Sequence, residues 1–328
     1  MFKKSVLRID SAVATEEITE AIRYQVLGTM HRRGAVIGLS GGIDSSVAAA
    51  LCVKALGPER VFGIFMPERD SSGDSLALGR SLADSLGIET LVEDLAPALE
   101  AVGCYARQIE AIRDVAPEYG DGYRCKLVLP SILEGDRLNV YHLTIHPPDG
   151  AEYTVRLSPK AYLQLVAATN FKQRFRKAME YYHADRLNYA VTGTPNRLEY
   201  DQGFFVKQGD GAADFKPIAH LYKTQVYQLA KYLDVPEEIR NRPPTTDTYS
   251  MPQTQEEFYF SLPYDKMDLC LYGYNHGVSP IEVAMATGLT EQQIASVYKD
   301  IESKRRTTKY QHMPPQLVQE VSDFKVTV

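Results

Sequence analysis

At 328 residues the chain exceeds the size at which a single core usually stops growing, so one large domain with insertions, or two domains, is expected. A hydrophobic content of 44% with 24% charged residues marks a globular chain, and a net charge of -6 argues against a general nucleic-acid binder. No apolar run reaches the length of a membrane span, no signal-peptide pattern follows Met1, and Cys52, Cys104, Cys125 and Cys270 are scattered, which points to a reducing cytoplasmic setting without zinc, disulfides or membrane.

Ala12 to Arg33 carries Ile18, Ile22, Val26 and Met30 at helical spacing, the pattern of a helix packed by one face. Ala35-Val36-Ile37 then reads as a short buried strand, and Val47 to Leu56 as a helix. Between them lies Gly38-Leu39-Ser40-Gly41-Gly42-Ile43-Asp44-Ser45-Ser46. A strand, a glycine turn and a helix start, with hydroxyls and one acid in the turn, make a phosphate cradle. The glycines let backbone N–H groups approach an anion without a Cβ in the way, and the positive helix end favours the same anion. Ser40, Ser45 and Ser46 add donors, and Asp44 can hold a Mg2+ that bridges phosphate oxygens. A Walker loop would need a Lys before its Ser/Thr, and the G-x-G-x-x-G spacing is missing. Ser-Gly-Gly-Ile-Asp-Ser-Ser instead resembles the pyrophosphate loop of the N-type ATP pyrophosphatases. That resemblance implies cleavage of ATP between the α and β phosphates and adenylation of a substrate oxygen.

Arg60 to Met66 reads as a second strand, releasing Met66-Pro67-Glu68-Arg69-Asp70-Ser71-Ser72 at its carboxyl end. Ser75 to Leu86 is expected to be helical, Ile88 to Val92 a third strand, and Leu95 to Val115 helical again. Such alternation implies a parallel sheet with right-handed crossovers, whose ligands lie beyond the carboxyl ends of the strands. From about 117 to 159 the alternation stops. Leu138 to Ile145 and Glu152 to Leu157 flank Pro147-Pro148-Asp149-Gly150, a hairpin signal read as an inserted subdomain. A substrate lid, a dimer arm and a surface decoration are all open roles for it, since long insertions cost little.

Helix resumes from Lys160 to Ala184 and contains Asn170, Arg174 and Arg176, whose plain reading is a solvated face. Leu187 to Thr192 reads as a fourth strand delivering Gly193-Thr194-Pro195-Asn196-Arg197-Leu198-Glu199, so Thr194 and Glu199 are aimed at a nucleotide. The glycine-interrupted stretch from Gly203-Phe204-Phe205 to Asp214 carries Lys207 and Asp210 and fits neither core nor plain linker. Ile218 to Leu233 is expected to be helical and bears Lys223. After Leu233 the chain reads as accessory: the turn-rich Pro243-Pro244-Thr245-Thr246-Asp247, the acidic Gln255-Glu256-Glu257, and helices Ile281 to Thr287 and Gln292 to Ser303, the second capped by Thr290. The basic run Lys304-Arg305-Arg306 with Lys309 reads equally as a solvated terminus.

Taken together, the phosphate loop, the Asn-x-x-x-Arg helix, Gly-Thr-x-x-x-x-Glu, Gly-Phe-Phe-x-Lys-x-Gly-Asp-Gly-x-Ala-Asp and Pro-Pro-Thr look like NAD+ synthetase from about Ala35 to Arg306, apart from the insertion. The resemblance implies an α/β fold with a doubly wound parallel sheet of the adenine nucleotide alpha-hydrolase-like kind, an inserted β-hairpin subdomain and a helical C-terminal part. Residues 1–328 would form one such domain. It also implies use of ATP and Mg2+ to adenylate the carboxylate of deamido-NAD+, followed by displacement of AMP by ammonia. By position, Gly38, Leu39, Ser40, Gly41, Gly42, Ile43, Asp44 and Ser45 would wrap the pyrophosphate. Thr194, Lys223 and Thr245 would contact ATP, and Asp44 and Glu199 would bind Mg2+. Arg174, Lys207, Asp210, Asp214, Ser303 and Lys304 would contact deamido-NAD+. Ser40, Asp44, Ser45 and Lys223 form the expected catalytic set. A pentavalent transition state needs cations and backbone donors, and two carboxylates with no His or Cys beside them suit hard Mg2+.

Three departures from the family pattern lie on the acceptor side: the insertion before Asn170, Pro195-Asn196-Arg197-Leu198 ahead of Glu199, and Ser303 where the family has His. A divergent ligase of the same type amidating another carboxylic acid is therefore the alternative. A sulfur-transferring tRNA-modifying enzyme would want catalytic cysteines and a basic face, and a non-catalytic sensor would not need both carboxylates and the lysines. The family's homodimer is expected here too. With no room for a glutaminase domain, ammonia would come free or from a separate glutaminase.

Overall fold

The computed structural model describes residues 2–129, 141–246 and 248–319. Asp10 opens helix α1 (Ser11–Arg23) by accepting from the backbone N–H groups of Ala12 and Val13 at 3.0 and 3.1 Å. The expected single helix to Arg33 gives way after Arg23 to a π-helical turn, Tyr24–Thr29. Strand β1 (Ala35–Gly38), helix α2 (Ile43–Leu56), strand β2 (Val61–Phe65), helix α3 (Gly73–Leu86) and strand β3 (Glu89–Val92) follow as the alternation predicts. Helix α4 (Ala96–Ala101) and helix α5 (Cys104–Arg113) replace the one helix expected from Leu95 to Val115. Gly103, at φ +70°, turns the chain between them.

The insertion is larger than a hairpin. Strands β4 (Arg124–Val128), β5 (His142–His146) and β6 (Tyr153–Arg156) form an antiparallel sheet in that order. The second and third correspond to the expected strands, of which Leu138-Asn139-Val140 lie outside the described residues. The alternation in β4 rests on only two buried side chains, Cys125 and Leu127, too short a signal to stand out. Helix α6 (Pro159–Leu187) then leads to strand β7 (Ala190–Val191), shorter than the fourth strand expected and extended by a bridge from Thr192 to Phe215. Helices α7 (Arg197–Gln202), α8 (Lys223–Tyr232), α9 (Glu237–Asn241), α10 (Tyr264–Asn275), α11 (Pro280–Thr287) and α12 (Glu291–His312) complete the described chain.

The central sheet is wholly parallel in the order β3-β2-β1-β7. Side chains alternate across it: Ala35, Ile37, Val61 and Phe65 pack against α1, α2 and α8, whereas Val36, Phe62 and Ile64 pack toward Ala184 of α6. Helix α2 is buried along most of its length from Val47 to Leu56, with only Lys54 exposed, which is why its pattern shows no broad polar face. The C-terminal helices make their own core around Met267, Leu271, Val283, Ile294 and Ile301. Because the chain runs outward from β1 through β2 to β3 and returns to β7 on the other side, the strand order reverses at β1. That reversal opens a crevice at the carboxyl ends of β1 and β7, where doubly wound sheets bind their ligands. No helix among the described residues is long and apolar enough to cross a membrane.

Gly41 shows how closely the phosphate loop is packed. It holds φ +71°, and a Cβ there would meet the Ser75 carbonyl oxygen at 2.4 Å. Gly87 has a similar φ of +66° with nothing within 4 Å. Gly41→Ala should therefore cost more than the ~1–3 kcal/mol of left-handed strain alone, and Gly87→Ala only that strain. Urea midpoints of the two variants, compared with the parent, check the difference.

Candidate active site

The phosphate loop leaves β1 and enters α2 as a closed set of hydrogen bonds. The Gly42 N–H donates to Ser40 Oγ at 3.2 Å, and the Ser40 and Ser45 hydroxyls lie 3.0 Å apart. Ser45 and Ser46 both donate to the Gly42 carbonyl, at 3.1 and 2.8 Å. The turn is thus held in shape before any anion arrives, with the positive end of α2 facing the crevice.

Beside it a chain of polar contacts joins four elements. Asp44 Oδ2 pairs with the ammonium of Lys223, a side chain only 2% exposed. Asp44 Oδ1 accepts from Asn196 Nδ2 at 3.0 Å. Asn196 also caps α7, its Oδ1 accepting from Leu198 N–H and Glu199 N–H. In return, Glu199 Oε2 accepts from the Asn196 N–H at 3.0 Å, and Glu199 Oε1 accepts from Gln255 Nε2 at 2.9 Å. At the start of α8, Asp268 accepts from the N–H groups of Lys223 and Thr224 at 3.2 and 2.6 Å, so helix geometry fixes the lysine. Burial, and then the charge of Asp44, push Glu199 up to about 8. Burial acts to lower Lys223, yet the charges of Asp44 and Glu199 outweigh it and hold the ammonium above its ordinary value. Burial lifts Asp268 to about 6.

Asp44, Glu199, Lys223 and Gln255 line one cleft of about 570 Å3, with Asn196 and Asp268 behind them. Gly38, Leu39, Ser40, Gly42, Ile43, Asp44, Ser45, Thr194, Glu199, Lys223 and Thr245 lie on its wall, as do Arg174, Lys207 and Asp210. Met66, Pro67, Ser71 and Ser72, released by β2, face it as the strand-end rule expects. Gly41 turns away against Ser75. Arg174 Nε donates to the Lys207 carbonyl at 3.3 Å, and Lys207 Nζ donates to the carbonyls of Tyr310 and Met313 at 3.0 and 2.8 Å. Asp210 Oδ1 accepts from Val206 N–H at 2.7 Å and is raised by burial. Flat rings at Tyr141, Tyr162, Phe204, Phe258 and Tyr259 complete the wall, a surface suited to heteroaromatic bases.

Three expected acceptor contacts sit elsewhere. Asp214 braces the sheet edge, accepting from Val191 N–H at 2.7 Å and from the Tyr181 hydroxyl at 3.2 Å, and is not on the cleft wall. Ser303 and Lys304 fall inside α12, which continues nine residues beyond the end expected at Ser303, and neither lines the cleft. Lys304 is buried, paired with Asp300 at 2.7 Å and donating to the Tyr259 carbonyl at 2.8 Å, so it reaches the wall only through Tyr259. The basic run is solvated only in part: Arg306 and Lys309 are exposed, whereas Arg305 clasps Asp201 through two hydrogen bonds of 2.5 and 2.7 Å.

Sequence reasoning passed over several residues that the fold brings in. On α6, Gln173, Lys177 and Glu180 join the expected Asn170 and Arg174 at helical spacing, and all five face the cleft. The stripe was legible as a polar 3.6-residue period, had the helix been read for its polar face. Lys177 Nζ pairs with Glu180 at 2.5 Å, both almost fully buried, and Glu180 lies beside Gly38. Asn196 was legible as a helix cap three residues before Glu199, whereas its bond to Asp44 and that of Gln255 to Glu199 join residues distant in sequence and carry no local signal. The supposedly accessory segment from Pro243 to Tyr259 supplies much of the wall.

Residues 14–118 and 136–314 match the NAD synthase family model. The chain belongs to the NAD synthase family. It is 64% identical to the NH3-dependent NAD+ synthetase of Mesorhizobium japonicum, over 97% of this chain and 100% of that one. Among solved structures, the NMN synthetase of Francisella tularensis shares the fold at a TM-score of 0.66 and 23% identity, covering 94% of this chain and 99% of that one. The NH3-dependent NAD synthetase of Campylobacter jejuni does so at 0.61 and 23%, covering 95% and 100%. Within this NAD synthase fold the NAD synthase match breaks between 118 and 136, inside the insertion.

Two outcomes follow for the site. Lys177→Met leaves Glu180 buried without its partner and should destabilise the protein by about 3–5 kcal/mol, whereas Lys177→Met with Glu180→Gln should recover most of that in urea unfolding. The pH dependence of Glu199 has a definite sign. Between its ordinary 4.5 and about 8 the folded protein keeps a proton that the unfolded chain has released, so this group's stability contribution falls with rising pH and levels off above 8. Glu199→Gln should remove that slope and gain in melting temperature over the parent on going from about pH 5 to about pH 8, as read by thermal scans.

Proposed function

We propose that this chain joins ammonia to the nicotinate carboxylate of deamido-NAD+ at the expense of ATP, giving NAD+, AMP and pyrophosphate. The observation that carries the reading is the Asp44–Lys223 pair, linked through Asn196 to Glu199, at the mouth of a phosphate loop in a NAD synthase-family chain. The relatives named NH3-dependent NAD+ synthetase support ammonia as the nitrogen source.

In this reading the deamido-NAD+ carboxylate oxygen attacks the α-phosphorus of ATP, the bond to the β-phosphate bridge breaks, and pyrophosphate leaves. The N–H groups and hydroxyls from Ser40 to Ser45 receive the leaving charge, and Lys223 offsets the charge growing on the α-phosphate. Ammonia then attacks the carbonyl carbon of the acyl-adenylate, loses a proton to the medium, and AMP departs with the acyl–oxygen bond electrons. No protein nucleophile takes part. Asp44 and Glu199 fit a magnesium ion, being oxygen donors joined through one asparagine, with too little cationic charge nearby to balance both. When bound there, Mg2+ supplies charge neutralisation to the phosphates. Thr194 and Thr245 contact ATP, and Arg174, Lys207 and Asp210 orient the acceptor. Asp214, Ser303 and Lys304 act from behind the wall. The whole chain works as one unit carrying the insertion, in the cytoplasm, as a homodimer, with ammonia taken free or from a separate glutaminase.

The test is release of AMP from ATP, Mg2+ and ammonium, with and without deamido-NAD+, following NAD+ in the same tube. Equal AMP and NAD+ formed only with deamido-NAD+ is the expected result. Asp44→Ala should lower turnover by at least about a thousandfold while the fold survives. ATP binding without turnover of deamido-NAD+ would transfer the reaction to another carboxylic acid, and normal AMP release by Asp44→Ala would refute the role given to that carboxylate.

A further inference from the structure

Strand β4 lies in the stretch that the family match skips, and it is an edge strand. One edge pairs with β5, from Arg124 opposite His146 to Val128 opposite His142. The other edge would present unpaired backbone groups unless something covered it. It is covered by the chain around 249–257. The Cys125 N–H donates to Ser250 Oγ at 3.0 Å, and the Cys125 carbonyl accepts from Met251 N–H at 3.1 Å. The Leu127 carbonyl accepts from the carboxamide of Gln253, and the Leu129 N–H donates to the Glu257 carbonyl at 3.1 Å. Lys126 reaches the Glu257 carboxylate at 3.3 Å. Every second residue from Cys125 in β4 to Leu129 just after it thus bonds to this segment, the spacing of a strand edge.

The same segment forms cleft wall on its other side, through Thr245, Thr246, Tyr249, Gln255, Phe258 and Tyr259. Gln253 is the joint between the two. Its side chain is buried, its Oε1 accepts from Thr246 Oγ1 at 3.4 Å, and its carbonyl accepts from Thr246 N–H at 2.9 Å. Thr245 and Thr254 bridge beside it. Two residues further on, Gln255 holds Glu199 Oε1. Lys172, buried between Glu68 and Asp70, adds a second tie to the Thr248 carbonyl at 3.0 Å.

We propose that the inserted sheet is a fixed anchor that presets the cleft wall at 243–259, with Gln253 as the positioning residue that couples β4 to Thr245 and, through Gln255, to Glu199. This deepens the function proposed above and rests on its reading of the cleft as the ATP and deamido-NAD+ site. The physical advantage is that the conformational entropy of ordering the segment is met when the protein folds and not when substrates bind, which lowers the substrate concentration needed for turnover. The insertion is then neither surface decoration nor a moving lid.

The test uses the full chain with Gln253→Leu, which keeps the side chain's bulk and removes both of its hydrogen bonds. Hydrogen exchange without substrate should quicken by about tenfold or more across 243–257 and stay unchanged in β1 and α2, and the KM values for ATP and deamido-NAD+ should rise by a similar factor with kcat within about threefold. Saturating ATP should return the exchange toward that of the parent. Ser250→Ala, which removes one acceptor from the same edge, should give a smaller change of the same kind and serves if Gln253→Leu fails to fold. Unchanged exchange in 243–257, or a loss of stability spread over the whole protein with KM values intact, would overturn the anchor. The exchange arm needs no acceptor, so it separates failure of the anchor from failure of the proposed reaction.

Discussion

Asp44 pairs with one buried ammonium, Lys223, whose charge a second carboxylate, Glu199, also feels, at the point where the sheet reverses its strand order. Most of what surrounds them exists to make that arrangement tolerable. Asn196 spends its amide on Asp44 and its backbone N–H on Glu199, Gln255 takes the remaining Glu199 oxygen, and Asp268 fixes the start of the helix that carries Lys223. Even so, burial and then the charge of Asp44 leave Glu199 holding its proton far above the usual carboxylate range. A site in this condition favours anything that adds positive charge between the two carboxylates.

The walls of the cleft come from parts of the chain with very different character. Helix α2 is largely buried, and the phosphate loop is pre-shaped by its own hydroxyls. Helix α6 lays a polar stripe along the opposite side, ending in the Lys177–Glu180 pair beside Gly38. The third wall, 243–246 and 248–259, depends on neighbours: β4 along one side, Lys172 and Glu199 on the other. A pre-shaped phosphate end and borrowed order at the other end are consistent with a reaction whose charge develops at one fixed phosphorus while the acceptor has to enter and leave.

Where local rules apply alone, the sequence was a good guide. The strand–turn–helix at Gly38 to Ser46 was legible because glycine, hydroxyl and helix-start chemistry all act within a few residues. Thr194 and Glu199 were found from the strand-end rule for the same reason. The long helix from Leu95 was misjudged because Gly103 needed only one left-handed residue to end it. Strand β4 was missed because its alternation rests on two buried side chains and the segment that covers its outer edge lies more than 120 residues away. Asp214 and Lys304 were assigned to the acceptor by resemblance, yet each meets a closer partner in the fold: the backbone of β7 for one, Asp300 and Tyr259 for the other.

The sequence by itself determined the α/β class, the parallel core, the phosphate loop and the kind of chemistry its residues can support. Those follow from period, propensity and short-range capping, which act over one or two turns of chain. Only the tertiary structure decided which carboxylate pairs with Lys223, that Gln255 serves Glu199, that the inserted strands form a sheet of three, and that a stretch read as accessory is a wall of the cleft. Each of these is a contact between residues tens to hundreds apart, and such pairings are set by how helices and sheet pack together, a competition that no local pattern encodes.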